Sequence, residues 1–158
     1  MRTLSKKTQY SLRALYALSR APRTHPLLIA DMARREAIPK KFLEQILLKL
    51  KSEGLVGSKK GKGGGYTLLR DPESITLGEI IRKIEGPLAP LPCASETAYR
   101  KCDECVDDRF CETKLVMREV RDAMARILDS TTLADVCKRA DDARAAATAD
   151  SQELMYYI

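Results

Sequence analysis

No run of apolar residues in this 158-residue chain is long enough to cross a bilayer, and nothing like a signal peptide precedes its first periodic segment. The amino terminus opens on charge, with Arg2, Lys6 and Lys7, so the expectation is a soluble intracellular protein. Histidine occurs once, as His25 between two helical segments, and reads as a surface residue. Provision for enzyme chemistry is thin. There is no paired acid and base, no substrate-binding glycine motif and no thioredoxin-like strand ahead of the one Cys-x-x-Cys. The run Gly63-Gly64-Gly65 is not a phosphate-binding loop, because Lys62 is not followed by Ser or Thr and no helix starts after the glycines. A small thiol or iron–sulfur redox protein is thus the weakest of the functional classes. Five cysteines in a reducing compartment also argue against a disulfide framework.

What is present is a charge asymmetry. The net charge of +6 divides into sixteen Lys and Arg against four Asp and Glu in residues 1–70, and twelve against eighteen in residues 71–158. A head of +12 on a body of −6 has the distribution expected of a polyanion-binding module joined to a part that does not bind, because Lys and Arg release counterions from phosphates.

The basic half carries three short helical periods. Ser5 caps the first, with Tyr10, Leu12, Ala14, Leu15, Ala17 and Leu18 at helical spacing and Pro22 as its stop. A second, carrying Leu28, Ile29, Met32 and Ala33, ends near Ala37. Pro39 suits the first turn of a third, which turns Phe42, Leu43, Ile46, Leu47 and Leu50 inward and stops at Gly54. Helix, brief turn, helix is the pattern of a helix-turn-helix. Residues 55–60 and 66–69 then read as two strands around a Gly- and Lys-rich tip, which makes the hairpin a wing. Thr76 caps a helix from Leu77 to Glu85. After a proline-broken loop, a longer helix from Cys111 to Leu128 spaces Val116, Val120, Ala123 and Ile127 like a coiled-coil seam. That seam serves a homodimer, which palindromic DNA half-sites reward; the alternative is packing inside its own subunit. Thr132 caps a short segment over residues 133–136, and Cys137 reads as a small buried hydrophobe. Residues 141–153 are alanine-rich and acidic with no apolar face, a flexible tail or marginal helix.

The fold class is therefore mainly α with a small β-hairpin: a winged helix-turn-helix over residues 1–85, a cysteine-bearing loop and dimerisation helix over 86–140, and a tail over 141–158. Several stretches resemble the IscR–NsrR–CymR family of dimeric winged-helix regulators. They are Ser5-Lys6, Phe42-Leu43-Glu44-Gln45-Ile46-Leu47, Gly63-Gly64-Gly65-Tyr66, Ile75-Thr76-Leu77-Gly78-Glu79-Ile80-Ile81 and Leu128-Asp129-Ser130-Thr131-Thr132-Leu133-Ala134-Asp135. The resemblance runs in order from residue 1 to about 139. It implies that Glu44 and Gln45 face bases from the third helix, where glutamine can pair with adenine and glutamate can accept from cytosine. Lys40 and Lys41 stand at that helix's start, within reach of phosphates or guanine edges. Lys60, Gly61, Lys62 and Gly63 form the wing tip, aimed at the minor groove or its phosphates.

Four cysteines, Cys93, Cys102, Cys105 and Cys111, crowd the proline-bracketed loop. Thiolates so gathered suit an iron–sulfur cluster, 2Fe–2S or 4Fe–4S, or a structural zinc, or metal-free thiols that oxidise. Cluster-sensing members of the family use three cysteines here, and Cys93, Cys105 and Cys111 match them. Some members place a histidine three positions after the last cysteine, where this chain has Lys114; others use an acidic residue in the first helix, where Thr8 and Gln9 stand. Cys102 is the economical fourth ligand. The last four residues, Met155-Tyr156-Tyr157-Ile158, resemble the C-terminal peptides that dock in cysteine synthase. Tyr156, Tyr157 and Ile158 would carry that contact, in a regulator of cysteine metabolism; the alternative is a tail folded back on its own dimer.

Overall fold

The computed structural model describes residues 4–61 and 63–155, with side-chain surroundings up to residue 148. Helix α1 (Lys6–Arg20) begins where Ser5 leaves extended backbone and its hydroxyl accepts the Thr8 amide at 3.2 Å. Such a cap satisfies one of the amides that a first turn leaves without a partner. Helices α2 (Ile29–Arg35) and α3 (Lys40–Ser52) follow, separated by a tight turn. The second helix stops short of Ala37 because that residue takes φ +48°, which turns the chain out of the helix. Pro39 sits one position earlier than expected, as the residue that caps α3 rather than within it.

Strands β1 (Val56–Lys59) and β2 (Gly65–Leu68) pair antiparallel, Val56 opposite Leu68 and Lys59 opposite Gly65. Leu27 adds a third, one-residue edge: its backbone exchanges two hydrogen bonds with Tyr66, at 2.9 and 3.0 Å. A 3-10 turn (Pro72–Ser74) leads to α4 (Leu77–Glu85), capped by Thr76 as expected. The long connection that follows contains one 3-10 turn, Pro92–Ala94, before α5 (Glu112–Ser130) and α6 (Leu133–Met155).

One core holds the first four helices and the hairpin together. Leu15 from α1, Met32 from α2, Leu43, Ile46, Leu47 and Leu50 from α3, Leu55 beside β1, and Ile80 from α4 are fully buried. Each such side chain stabilises by roughly 1.5–3 kcal/mol relative to exposure. Leu133 at the start of α6 joins this core, so the C-terminal half is anchored in the N-terminal one. The anchor is also backbone: Leu77 donates to Thr131 at 2.9 Å and Leu133 to Ile75 at 3.0 Å. Cys137 is buried against α1, as its apolar setting predicted, with its sulfur 4.0 Å from the Tyr16 carbonyl.

The stretch read as a flexible tail or marginal helix lies within α6, which runs unbroken from Leu133 to Met155. Alanine, arginine and acidic residues are tolerated or favoured in a helix without a buried face, and the anchored first turn supplies the nucleus. Thr132 and Asp135 cap it reciprocally, each accepting the other's backbone amide, at 2.9 and 3.1 Å. Tyr156, Tyr157 and Ile158 lie outside the described residues.

Candidate nucleic-acid interface and cysteine loop

Helix α3 divides cleanly. Leu43, Ile46, Leu47 and Leu50 recur at the spacing of one helical face and are buried, which turns Lys40, Lys41, Glu44 and Gln45 outward. Among the described residues none of these four side chains is engaged in an ion pair or side-chain hydrogen bond. The end of the helix is held firmly. Lys49 bonds Glu53, and Lys83 of α4 donates to the Glu53 carbonyl at 2.8 Å. The Lys49 contact, followed by Lys83, holds the Glu53 carboxyl below the usual range. Lys51 reaches Ser58 of β1 at 2.7 Å, tying helix to hairpin.

At the hairpin tip Lys60 and Gly61 are exposed, as is Gly63, while Lys62 lies outside the described residues. The glycine run is demanded by the fold itself. A Cβ on Gly64 would sit 2.3 Å from the Lys59 carbonyl oxygen, and one on Gly65 2.6 Å from that of Leu27. Both obstacles are backbone, so no side chain can move aside for them. The tip lies at the open end of the sheet, beyond the Lys59–Gly65 pair.

The cysteine loop packs on the first part of α5. Cys93, within the 3-10 turn, is buried; Cys102 is exposed; Cys105 and Cys111 are half-buried. The Cys102 thiol donates to the Cys93 sulfur at 3.6 Å, and this contact, with desolvation, raises the Cys102 thiol above its ordinary value. Burial raises Cys105 too, helped by the nearness of Cys111 and Cys102. Cys111 caps α5, and its carbonyl accepts the Leu115 amide at 3.1 Å. The loop therefore brings the four predicted thiols into one neighbourhood. Among the described residues, no three His, Cys, Asp or Glu side chains are drawn around a single point as a preformed one-ion site. The donors fit a thiolate-bound group by chemistry, and they are not closed on one ion in this geometry.

A polar clamp brackets the thiols. Lys114 donates to the Asp108 carbonyl at 2.8 Å and to its carboxylate at 3.0 Å, and lies 5.2 Å over the Tyr99 ring. The Tyr99 hydroxyl donates to the same carboxylate, which pushes Tyr99 up to about 12 and draws Asp108 down. Lys114 thus has structural work at the position where some members of the family that the sequence resembles carry histidine. Thr8 and Gln9 are likewise occupied, by the α1 cap and by the Leu4 carbonyl at 2.7 Å.

A family model described as an iron-dependent transcriptional regulator, Rrf2, matches residues 4–139. The chain belongs to the Rrf2 family. It is 43% identical over 136 residues to an rrf2-like HTH-type transcriptional regulator of Rhodobacter capsulatus, covering 84% of this chain and 91% of that one. It is 30% identical to the HTH-type transcriptional regulator CymR of Bacillus subtilis over 98% of this chain and 99% of the relative. The solved structure of that protein, described as the global cysteine regulator, superposes with a TM-score of 0.72 over 88% of this chain and 98% of the other. The T. potens IscR structure does so with a TM-score of 0.70 at 31% identity, over 90% of each chain. Rrf2 relatives of these names are transcriptional regulators, and a DNA-binding, winged helix-turn-helix regulator is what this chain is. Among the described residues no helix is long and apolar enough to cross a membrane.

Two features of this Rrf2 protein escaped the reading by residue type. Leu48 is 63% exposed on the same face of α3 as Glu44 and Gln45. The residues turned inward on spacing are Phe42, Leu43, Ile46, Leu47 and Leu50; Leu48 falls outside that set and is given no role, although its spacing of three and four from Gln45 and Glu44 places it on their face. The second is a line of contacts from the loop to α3. Arg121 of α5 donates to the Ala94 carbonyl beside Cys93 at 2.8 Å. Farther along α5, Asp129 takes a two-pronged bond from Arg82 of α4, at 2.5 and 2.8 Å, which holds its carboxyl below the usual range. The next residue, Lys83, is the one that grips the end of α3. No sequence signal marks such pairs, because the partners lie far apart in the chain.

Proposed function

We propose that this Rrf2 protein is a cytoplasmic homodimer that binds palindromic DNA and changes its affinity with the state of an iron–sulfur cluster held in the loop of Cys93, Cys105 and Cys111, with Cys102 as fourth ligand. The single observation that carries the reading is the gathering of four thiols at the foot of α5, in contact with a route to α3. Lys40, Lys41, Glu44 and Gln45 would meet the major groove, and Lys60, Gly61, Lys62 and Gly63 the adjoining minor groove or backbone. The exposed apolar residues of α5 (Leu115, Val116, Val120 and Ile127) are the surface that a second copy would cover. A bound cluster would lend the loop redox sensitivity. The protein's own part is mechanical: Arg121 senses the position of the Cys93 turn, and the Arg82–Asp129 and Lys83–Glu53 contacts pass a shift of α5 to the recognition helix.

Anaerobic purification with iron, sulfide and zinc analysis tests the cofactor. A coloured preparation with iron and sulfide in equal amount is expected; a colourless one with stoichiometric zinc would replace the cluster by a structural metal. Cys102→Ala should lower cluster yield, and an unchanged yield would remove Cys102 from the ligand set. Selection from random duplexes at low salt should return a two-fold symmetric site. No sequence preference in either metal state would end the DNA-reading account.

A second reading is favoured by the full-length likeness to a regulator described as the global cysteine regulator. On it, cysteine synthase captures Tyr156, Tyr157 and Ile158, and the genes controlled supply cysteine. Removing those residues together with Met155 should abolish co-elution with the enzyme; equal retention with and without them would refute the tail's role.

A further inference from the structure

We infer that Leu48 is a specificity-determining residue that packs against the C5-methyl of a thymine in the major groove. The inference rests on the proposal that α3 reads bases. Its observation is separate: the face of α3 that turns from the core is polar and charged except at this position. Lys41, Glu44, Gln45, Lys51 and Ser52 are all exposed, and Leu48 stands among them with 63% of its surface open. One helical turn separates Leu48 from Glu44, and slightly less separates it from Gln45, so the three side chains project side by side. Among the described residues most of Leu48 is left uncovered, since the residues of α3 that meet the core are those on its other side. An aliphatic group held between Gln45 and two lysines has a surface that matches a groove edge: cations for phosphates, an amide for adenine, and a branched hydrocarbon for the apolar group that the major groove offers, the thymine methyl. Gln45 and Leu48 would together favour neighbouring A·T pairs, and Glu44 a cytosine beside them.

The test uses the intact dimer and the duplex returned by the selection above. Each thymine of one half-site is replaced in turn by deoxyuracil, which removes only the methyl. Wild-type protein should lose affinity roughly fourfold at one position in the half-site, the amount expected for one buried methyl. Leu48→Ala should bind the parent duplex more weakly and be indifferent to uracil at that position, while Leu48→Ile keeps the sensitivity. An exposed helical Leu→Ala should leave the fold intact, with a circular dichroism spectrum that matches wild type. Equal uracil sensitivity of wild type and Leu48→Ala at every thymine would overturn the inference. If Glu44→Ala or Gln45→Ala still altered the selected sequence, base reading by α3 would stand and Leu48 alone would fall. Absence of any sequence preference in wild type would overturn both.

Discussion

Helices α3 and α5 carry apolar residues at similar periodicity and meet opposite fates. In α3, four of them are buried and turn Lys40, Lys41, Glu44 and Gln45 outward. In α5, a helix of nineteen residues, none is buried, and Ile127 is 64% exposed. The difference is one of surroundings. Residues before α3 supply two helices and residues after it a hairpin, enough to wrap its apolar side. Among the described residues α5 packs mainly against α4 and the 3-10 turn of the cysteine loop, with Arg82–Asp129 and Arg121–Ala94 among the contacts. An amphipathic helix left open is, on the proposal above, the face that a second copy covers, whereas one closed within the chain is a scaffold.

The sharpest way to break this contrast is to charge each face. Val120→Glu with Ile127→Glu should leave the melting curve of the subunit nearly unchanged and convert the dimer to monomer in sedimentation. Affinity for a palindromic duplex should fall on the order of 10²–10⁴-fold as the second half-site contact is lost. A variant that stays dimeric would place the interface elsewhere. In α3 the effect should be on folding instead. Leu47→Ala, at a fully buried site, is expected to cost about 2–5 kcal/mol in urea denaturation. Less than 1 kcal/mol would mean that the two helices are equally open.

The link between the regions can be probed at Gly78 of α4, where an added Cβ would lie 1.8 Å from the Asp129 carboxylate. Gly78→Ala should push Asp129 off Arg82, with a stability loss of about 1 kcal/mol or less because the pair is largely exposed. Its larger effect should be to narrow the difference in DNA affinity between metal-loaded and metal-free protein. Unchanged coupling would show that the signal takes another route. The smallest effect concerns acid. Asp129, Asp108 and Glu53 are all held below ordinary values in the fold, so they bind fewer protons there than in the unfolded chain. Their stabilisation is present above the ordinary carboxylate range and fades as pH falls below about 4, through their lowered values. Asp129→Asn should flatten that acid limb of the melting temperature; parallel limbs for wild type and variant would refute it.

The winged head was legible because its signals are local. Ser5 and Thr76 are caps, the Leu43–Leu50 pattern has one period, and the glycines at 63–65 precede a strand, all within a few residues of what they govern. Of the candidate site, two placements were legible for the same reason: Lys40, Lys41, Glu44 and Gln45 face outward from α3, and the four loop thiols lie near one another. Where the reading fell short, a distant contact was responsible. Residues 141–155 continue a helix because Leu133 and the Thr132–Asp135 cap fasten its start to α4 and the core, which composition in that stretch does not reveal. Leu48 is a different case: its spacing leaves it out of the inward set, and its place beside Glu44 and Gln45 was legible but not drawn upon.

Charge, periodicity and caps along the chain were enough by themselves to determine a basic helix-turn-helix with a wing, because helices and turns depend on neighbours within a turn or two. Folding in three dimensions decided which apolar face remains open, which thiols touch, and which arginine and lysine join the cysteine loop to α3. Those outcomes depend on what each face meets, and the partners are brought together only when the core closes.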